Sequence, residues 1–140
     1  MIPQPNGMLP WGMGLLILTL VPVLSSIVAG IAMIVSGRMQ RANGPLAEEN
    51  GRRAANWGLT YLIATVLLMG AHFTILIAFQ DNIPDGFFPM GIFVTLWAAI
   101  SLVHIIVSIV GLVAAHSMKV VKWNGIPFFR GRRESRPRPH

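Results

Sequence analysis

Cysteine is absent from this 140-residue sequence, and charge is scarce: five Asp or Glu and eleven Lys or Arg make up all of it, 11% of the chain. Without a thiol there is no cysteine nucleophile, although the absence leaves the redox compartment open. So little charge excludes an ordinary soluble domain, in which about a quarter of residues are charged, and an apolar content of 54% excludes a disordered chain. The charges are also segregated, since residues 1–37, 54–80 and 86–118 hold no Asp, Glu, Lys or Arg.

A bilayer core of roughly 30 Å needs about 20 helical residues. Residues 15–35, 54–79 and 88–115 each supply such a run. The runs are continuous rather than alternating, which excludes a β-barrel. The predicted fold class is all-α: an integral-membrane three-helix bundle, with one membrane domain over 1–129 and a basic, Pro-rich tail at 130–140. Residues 1–11 carry no basic n-region, so the first span reads as a retained anchor rather than a cleaved signal. Pro22 lies inside that span and is expected to kink it.

Lys and Arg occur only at Arg38, Arg41, Arg52 and Arg53, and from Lys119 onward. By the positive-inside rule both segments are cytoplasmic, whereas the loop at 80–87, charged only by Asp81 and Asp85, faces the other side. This predicts an N-out, C-in protein of the bacterial inner membrane. Trp11, Phe87 and Phe88 are expected at the outer interface, and Trp57, Tyr61 and Trp123 at the inner one.

At 100° per residue, each span shows a small or polar sector. The first contains Ser26 and Gly30, with Thr19, Met33 and Gly37; the second contains Asn56 and Thr60, continuing to Ala71 and Thr74; the third contains Ser101, His104, Ser108 and Gly111. Lipid tails give helices no hydrophobic reason to associate, so such seams are read as packing faces rather than as a substrate pathway. His104 lies about eleven residues, roughly 16 Å, from Ala115 by helical rise, at the depth of Ser26 and Thr65. It is either a neutral imidazole bonded to one of those hydroxyls, or a proton-linked or ligand site. His72 is on the order of 14 Å away in depth, too far for shared haem or metal ligation within one chain.

In the first loop, Pro45 opens a short surface helix in which Glu48 and Glu49 reach Arg52 and Arg53 at i,i+4. Arg38, Arg41, Arg52 and Arg53, together with Lys119, Lys122, Arg132 and Arg133, are read as contacts to anionic headgroups or a partner. The tail has no aromatic platform beyond Phe129, so lipid rather than nucleic acid is its expected partner. For catalysis no set of groups converges: no carboxylate lies in the membrane, and Asp81 and Asp85 are separated from Glu48 and Glu49 by topology. Neither a catalytic residue nor a cofactor or metal site is assigned.

Pro45-Leu46 with the acidic pair, Arg53-Ala54-Ala55-Asn56-Trp57 and Thr60, followed by His104, Ala115, Lys122-Trp123 and Ile126-Pro127-Phe128, resemble the Tic-twenty-like family of small bacterial membrane proteins over residues 45–129. The resemblance implies a three-helix membrane protein linked to translocation or larger assemblies, and no enzymology. The expected function is therefore a non-enzymatic membrane subunit or accessory protein in a homo-oligomer or larger complex. The alternative is a small transporter or translocation component acting as an oligomer around His104.

Overall fold

The computed structural model describes residues 4–131, apart from Leu20 and Pro84. The described residues form helices and no strands: α1 (Met8–Met13), a 3-10 segment (Gly14–Leu18), α2 (Pro22–Met39), a short 3-10 turn (Gln40–Ala42), α3 (Pro45–Ala78) and α4 (Ile92–His116). Three stretches are long and apolar enough to cross a membrane, Pro22–Ala42, Pro45–Ala78 and Ile92–His116.

The first apolar run does not form one helix. Pro22 sits at the start of α2, where its missing N–H costs nothing, and Val21 before it is extended at φ −126°, ψ 106°. Pro22 thus begins a helix instead of kinking one. The chain before it doubles back beside α2, so that Gly14 packs against Met33 and Ser108. Together α1 and the 3-10 segment rise only about 19 Å, short of a bilayer core of roughly 30 Å. They form an arm that folds back along the bundle. At the reversal, Thr19 Oγ1 donates to Leu16 O at 2.7 Å and lies 2.9 Å from Ser25 Oγ, while Ser25 Oγ accepts from Val21 N at 3.3 Å. Non-helical backbone within an apolar run needs such internal partners.

The arm places the N-terminal segment where the sequence reading did not. Asn50 Nδ2 donates to Asn6 O at 2.8 Å and to Lys119 O at 3.0 Å, so residues near both ends of the described chain meet at one side chain. An arrangement with the N-terminal segment on the face opposite Lys119 is incompatible with this contact. Trp11, expected at an outer interface, is fully buried against Gly111.

With 34 residues, α3 rises about 51 Å, well beyond a bilayer core. The surface helix expected in the first loop is the opening of this same helix, because Pro45 starts it, no further proline follows, and Gly51 is kept helical by its packing against Gly37 and Gln40. The buried face of α3 runs through Ala47, Gly51, Ala54, Gly58, Tyr61, Thr65 and Met69. The expected sector drifts off this face, leaving Ala71 half-buried and Thr74 exposed. On α4 the buried positions are Ser101, His104, Val107, Ser108, Gly111 and Ala115.

Candidate functional site

Two polar clusters join the helices, one in the bundle interior and one at its basic end. In the interior, the Trp57 indole can only donate, and its Nε1 lies 3.1 Å from His104 Nδ1. Nδ1 is therefore the unprotonated nitrogen, and Nε2–H donates to Gly14 O at 2.9 Å. Tyr61 stacks on the imidazole, with ring centroids 4.0 Å apart and planes 19° apart. Its hydroxyl donates to Ser26 Oγ at 2.8 Å, and Ser26 passes a hydrogen bond to Pro22 O at 2.8 Å. With the Tyr61 proton committed, Ser101 donates to the Tyr61 oxygen at 2.7 Å. The relay ends on a carbonyl, and every donor in it has an acceptor.

His104 is thus bonded across the bundle, but to Trp57 and Gly14 rather than to Ser26 or Thr65. Thr65 Oγ1 and Ser108 Oγ are buried without a hydrogen-bond partner among the described residues. Trp57 and Tyr61 occupy the interior, not the inner interface, because their polar atoms find partners there. His72 lies toward the opposite end, with Nδ1 3.2 Å from Met90 O. Substituting His104 by leucine strands the Trp57 N–H and the Gly14 carbonyl, and is expected to cost about 1–2 kcal/mol in detergent unfolding followed by tryptophan fluorescence.

At the basic end the segment after α4 folds back as a strap along the first turns of α3. Asn50 Oδ1 accepts from Val121 N at 2.8 Å, and Arg53 donates to Val121 O at 2.7 Å. Thr60 Oγ1 donates to Asn56 O at 2.8 Å and accepts from Ile126 N at 3.0 Å. Asn56 binds both sides of one residue, donating to Phe129 O at 3.1 Å and accepting from Phe129 N at 2.6 Å, and also donates to Asn124 Oδ1 at 2.9 Å. Gly125 turns the strap at φ +65°, where a Cβ would press on Thr60 Oγ1 and Trp57. Trp123 meets Trp57 edge-on with centroids 5.4 Å apart.

The residues assigned to headgroup contact divide between several roles. Arg52 Nε and Arg53 Nε both donate to Glu49, at 3.2 and 2.7 Å, and Arg52 also donates to Phe129 O at 3.1 Å. Arg41 lies 3.9 Å from Glu48. Arg38 stacks over the Phe129 ring, 4.6 Å from its centroid. Lys119 and Lys122 are exposed, as are Asp81 and Asp85 at the other end, while Arg132 and Arg133 lie outside the described residues. Gly30 packs against Gly58 and Leu62 on α3, and Gly111 against the Trp11 indole. Asn50 and Gly14 went unassigned in the sequence. Asn50 was legible as the downward continuation of the Gly51–Ala54–Gly58 face, whereas a carbonyl such as that of Gly14 leaves no side-chain signal.

Fold and polar core together define a small multi-pass helical membrane protein with a buried, fully bonded histidine. The chain belongs to the MamF/MmsF family, the magnetosome magnetite crystal formation protein family, whose sequence profile matches residues 7–129. This overturns the Tic-twenty-like resemblance, which rested on residues of the α3 junction, on His104 and Ala115 of α4, and on residues of the strap. No curated protein and no solved structure matches the chain.

Proposed function

We propose that this protein is a non-enzymatic accessory protein of the magnetosome membrane that acts in magnetite crystal formation. The observation that carries the reading is the family match, which takes in every helix from α1 to α4. The charge distribution supports an orientation. Arg38, Arg41, Arg52, Arg53, Lys119 and Lys122 gather at one end of the bundle, which the positive-inside rule makes cytoplasmic. Both ends of the described chain then lie on that side. The loop between α3 and α4, charged only by Asp81 and Asp85, faces the compartment in which the mineral grows. The partners in this reading are anionic headgroups and either further copies of the chain or other membrane proteins, with no nucleic acid. A transport role around His104 has less support, because both of its ring nitrogens are already engaged.

In a magnetosome-forming cell, deleting the chain is expected to give smaller or less regular crystals by electron microscopy. Replacing Asp81 and Asp85 by asparagine is expected to reproduce part of that change with the protein still in the membrane. A crystal size distribution untouched by deletion overturns the reading.

A further inference from the structure

We propose that the cleft between the end of α2, the start of α3 and the strap is a binding site for a single phosphate-type oxyanion. The cleft has a volume of about 250 Å³ and is lined by Arg38, Arg41, Arg52 and Arg130 against one carboxylate, that of Glu48. That volume lies below the roughly 300–1,000 Å³ of drug-sized ligand sites and suits a headgroup-sized anion. Guanidinium forks match the geometry of phosphate oxygens.

The site is built rather than accidental. Phe129 is fixed by both amide atoms of Asn56 and by Arg52, which delivers Arg130 to the rim of the cleft and sets the Phe129 ring under Arg38. Arg41 and Arg52 each approach a glutamate, but Arg38 and Arg130 have no ion pair among the described residues. An external anion would supply that partner. Phe128 adds an apolar wall beside the arginines.

The test uses the full-length protein in nanodiscs of phosphatidylcholine doped with phosphatidylglycerol, with retained lipid read by native mass spectrometry. Wild type should keep phosphatidylglycerol, and R38Q/R130Q should lower its retention about tenfold. K119Q/K122Q removes the same charge outside the cleft and should lower retention less than R38Q/R130Q does, because these exposed lysines meet headgroups only as screened surface charge. Equal losses in the two double variants overturn the site in favour of diffuse attraction. If R38Q/R130Q fails to keep its helical circular dichroism, R130Q alone, which breaks no described hydrogen bond, carries the comparison. Inorganic phosphate that displaces the lipid identifies a soluble phosphate as the source, and lipid retained against it identifies a headgroup. Wild type that holds neither probe overturns the proposal.

Discussion

Asn50→Leu is expected to be among the most damaging single substitutions in this protein, lowering unfolding free energy by about 3–6 kcal/mol. The side chain is fully buried and serves three backbone groups from two distant segments: the carbonyls of Asn6 and Lys119, and the N–H of Val121. Leucine fills a comparable volume but leaves all three unpaired, and each buried orphan costs about 1–3 kcal/mol. Asn50→Asp isolates the donated bonds: an ionised carboxylate still accepts from Val121 N but faces the two carbonyls as a buried, unpaired charge. In denaturant titrations in detergent at neutral pH its loss should therefore match or exceed the leucine variant's. Limited proteolysis adds a local readout, because both the N-terminal arm and the strap should be cut faster in Asn50→Leu. A leucine variant that unfolds like wild type would mean that the arm and strap are held elsewhere.

Why the sequence led to three spans but not to the arm is a matter of what periodicity records. Uncharged runs reveal bilayer-length segments whatever the backbone does inside them. The run at 15–35 contains a chain reversal, and its only marker is Pro22, which reads equally as a kink within a helix or as the start of one. Trp11 has the composition of an interface residue, and its burial depends on Gly111 being bare beneath it, a pairing across 100 positions. The strap has no apolar period at all. It is specified by side chains of α3, namely Asn50, Arg53, Asn56 and Thr60, whose polar character could be seen but whose partners could not. Arg53, Asn56 and Thr60 also carried the Tic-twenty-like resemblance. They encode the geometry of a helix receiving a strap, a local solution that does not determine family membership. His104 was legible as a buried neutral imidazole at the right depth, and its true partners were hidden because one is an indole assigned to the interface and the other a backbone carbonyl.

Gly37→Val is the second substitution with a large expected effect, and it tests how α2 is held. A Cβ on Gly37 would collide with the carbonyl oxygen of Gly51 and lie 3.0 Å from Ala55 Cβ. Gly51 answers in kind, with a Cβ falling 2.5 Å from Gly37 O and 2.6 Å from Gln40 Cβ. Backbone cannot rotate away as a side chain can, so the two helices must part. Farther along the same seam, a Cβ on Gly58 would sit 2.7 Å from Met33 Cβ and 3.0 Å from Gly30 O. Overpacking ordinarily costs about 1–3 kcal/mol, and valine adds two methyls beyond the offending Cβ, so about 3 kcal/mol or more is expected. Gly37→Ala should lose less, in proportion to its smaller side chain. Gly70→Ala provides the contrast within the same pair of helices, for a Cβ there meets nothing within 4 Å. Relief of glycine's entropy should leave that variant unchanged or more stable by about 0.5–1 kcal/mol. The ordering Gly70→Ala, wild type, Gly37→Ala, Gly37→Val in detergent stability follows if backbone contact holds the bundle. Equal stability at Gly37 and Gly70 would instead assign the association of α2 and α3 to the hydroxyl relay through Tyr61. Because Gly37 also floors the arginine-lined cleft, the valine variant should lose bound anion along with stability, whereas His104→Leu should lose stability alone.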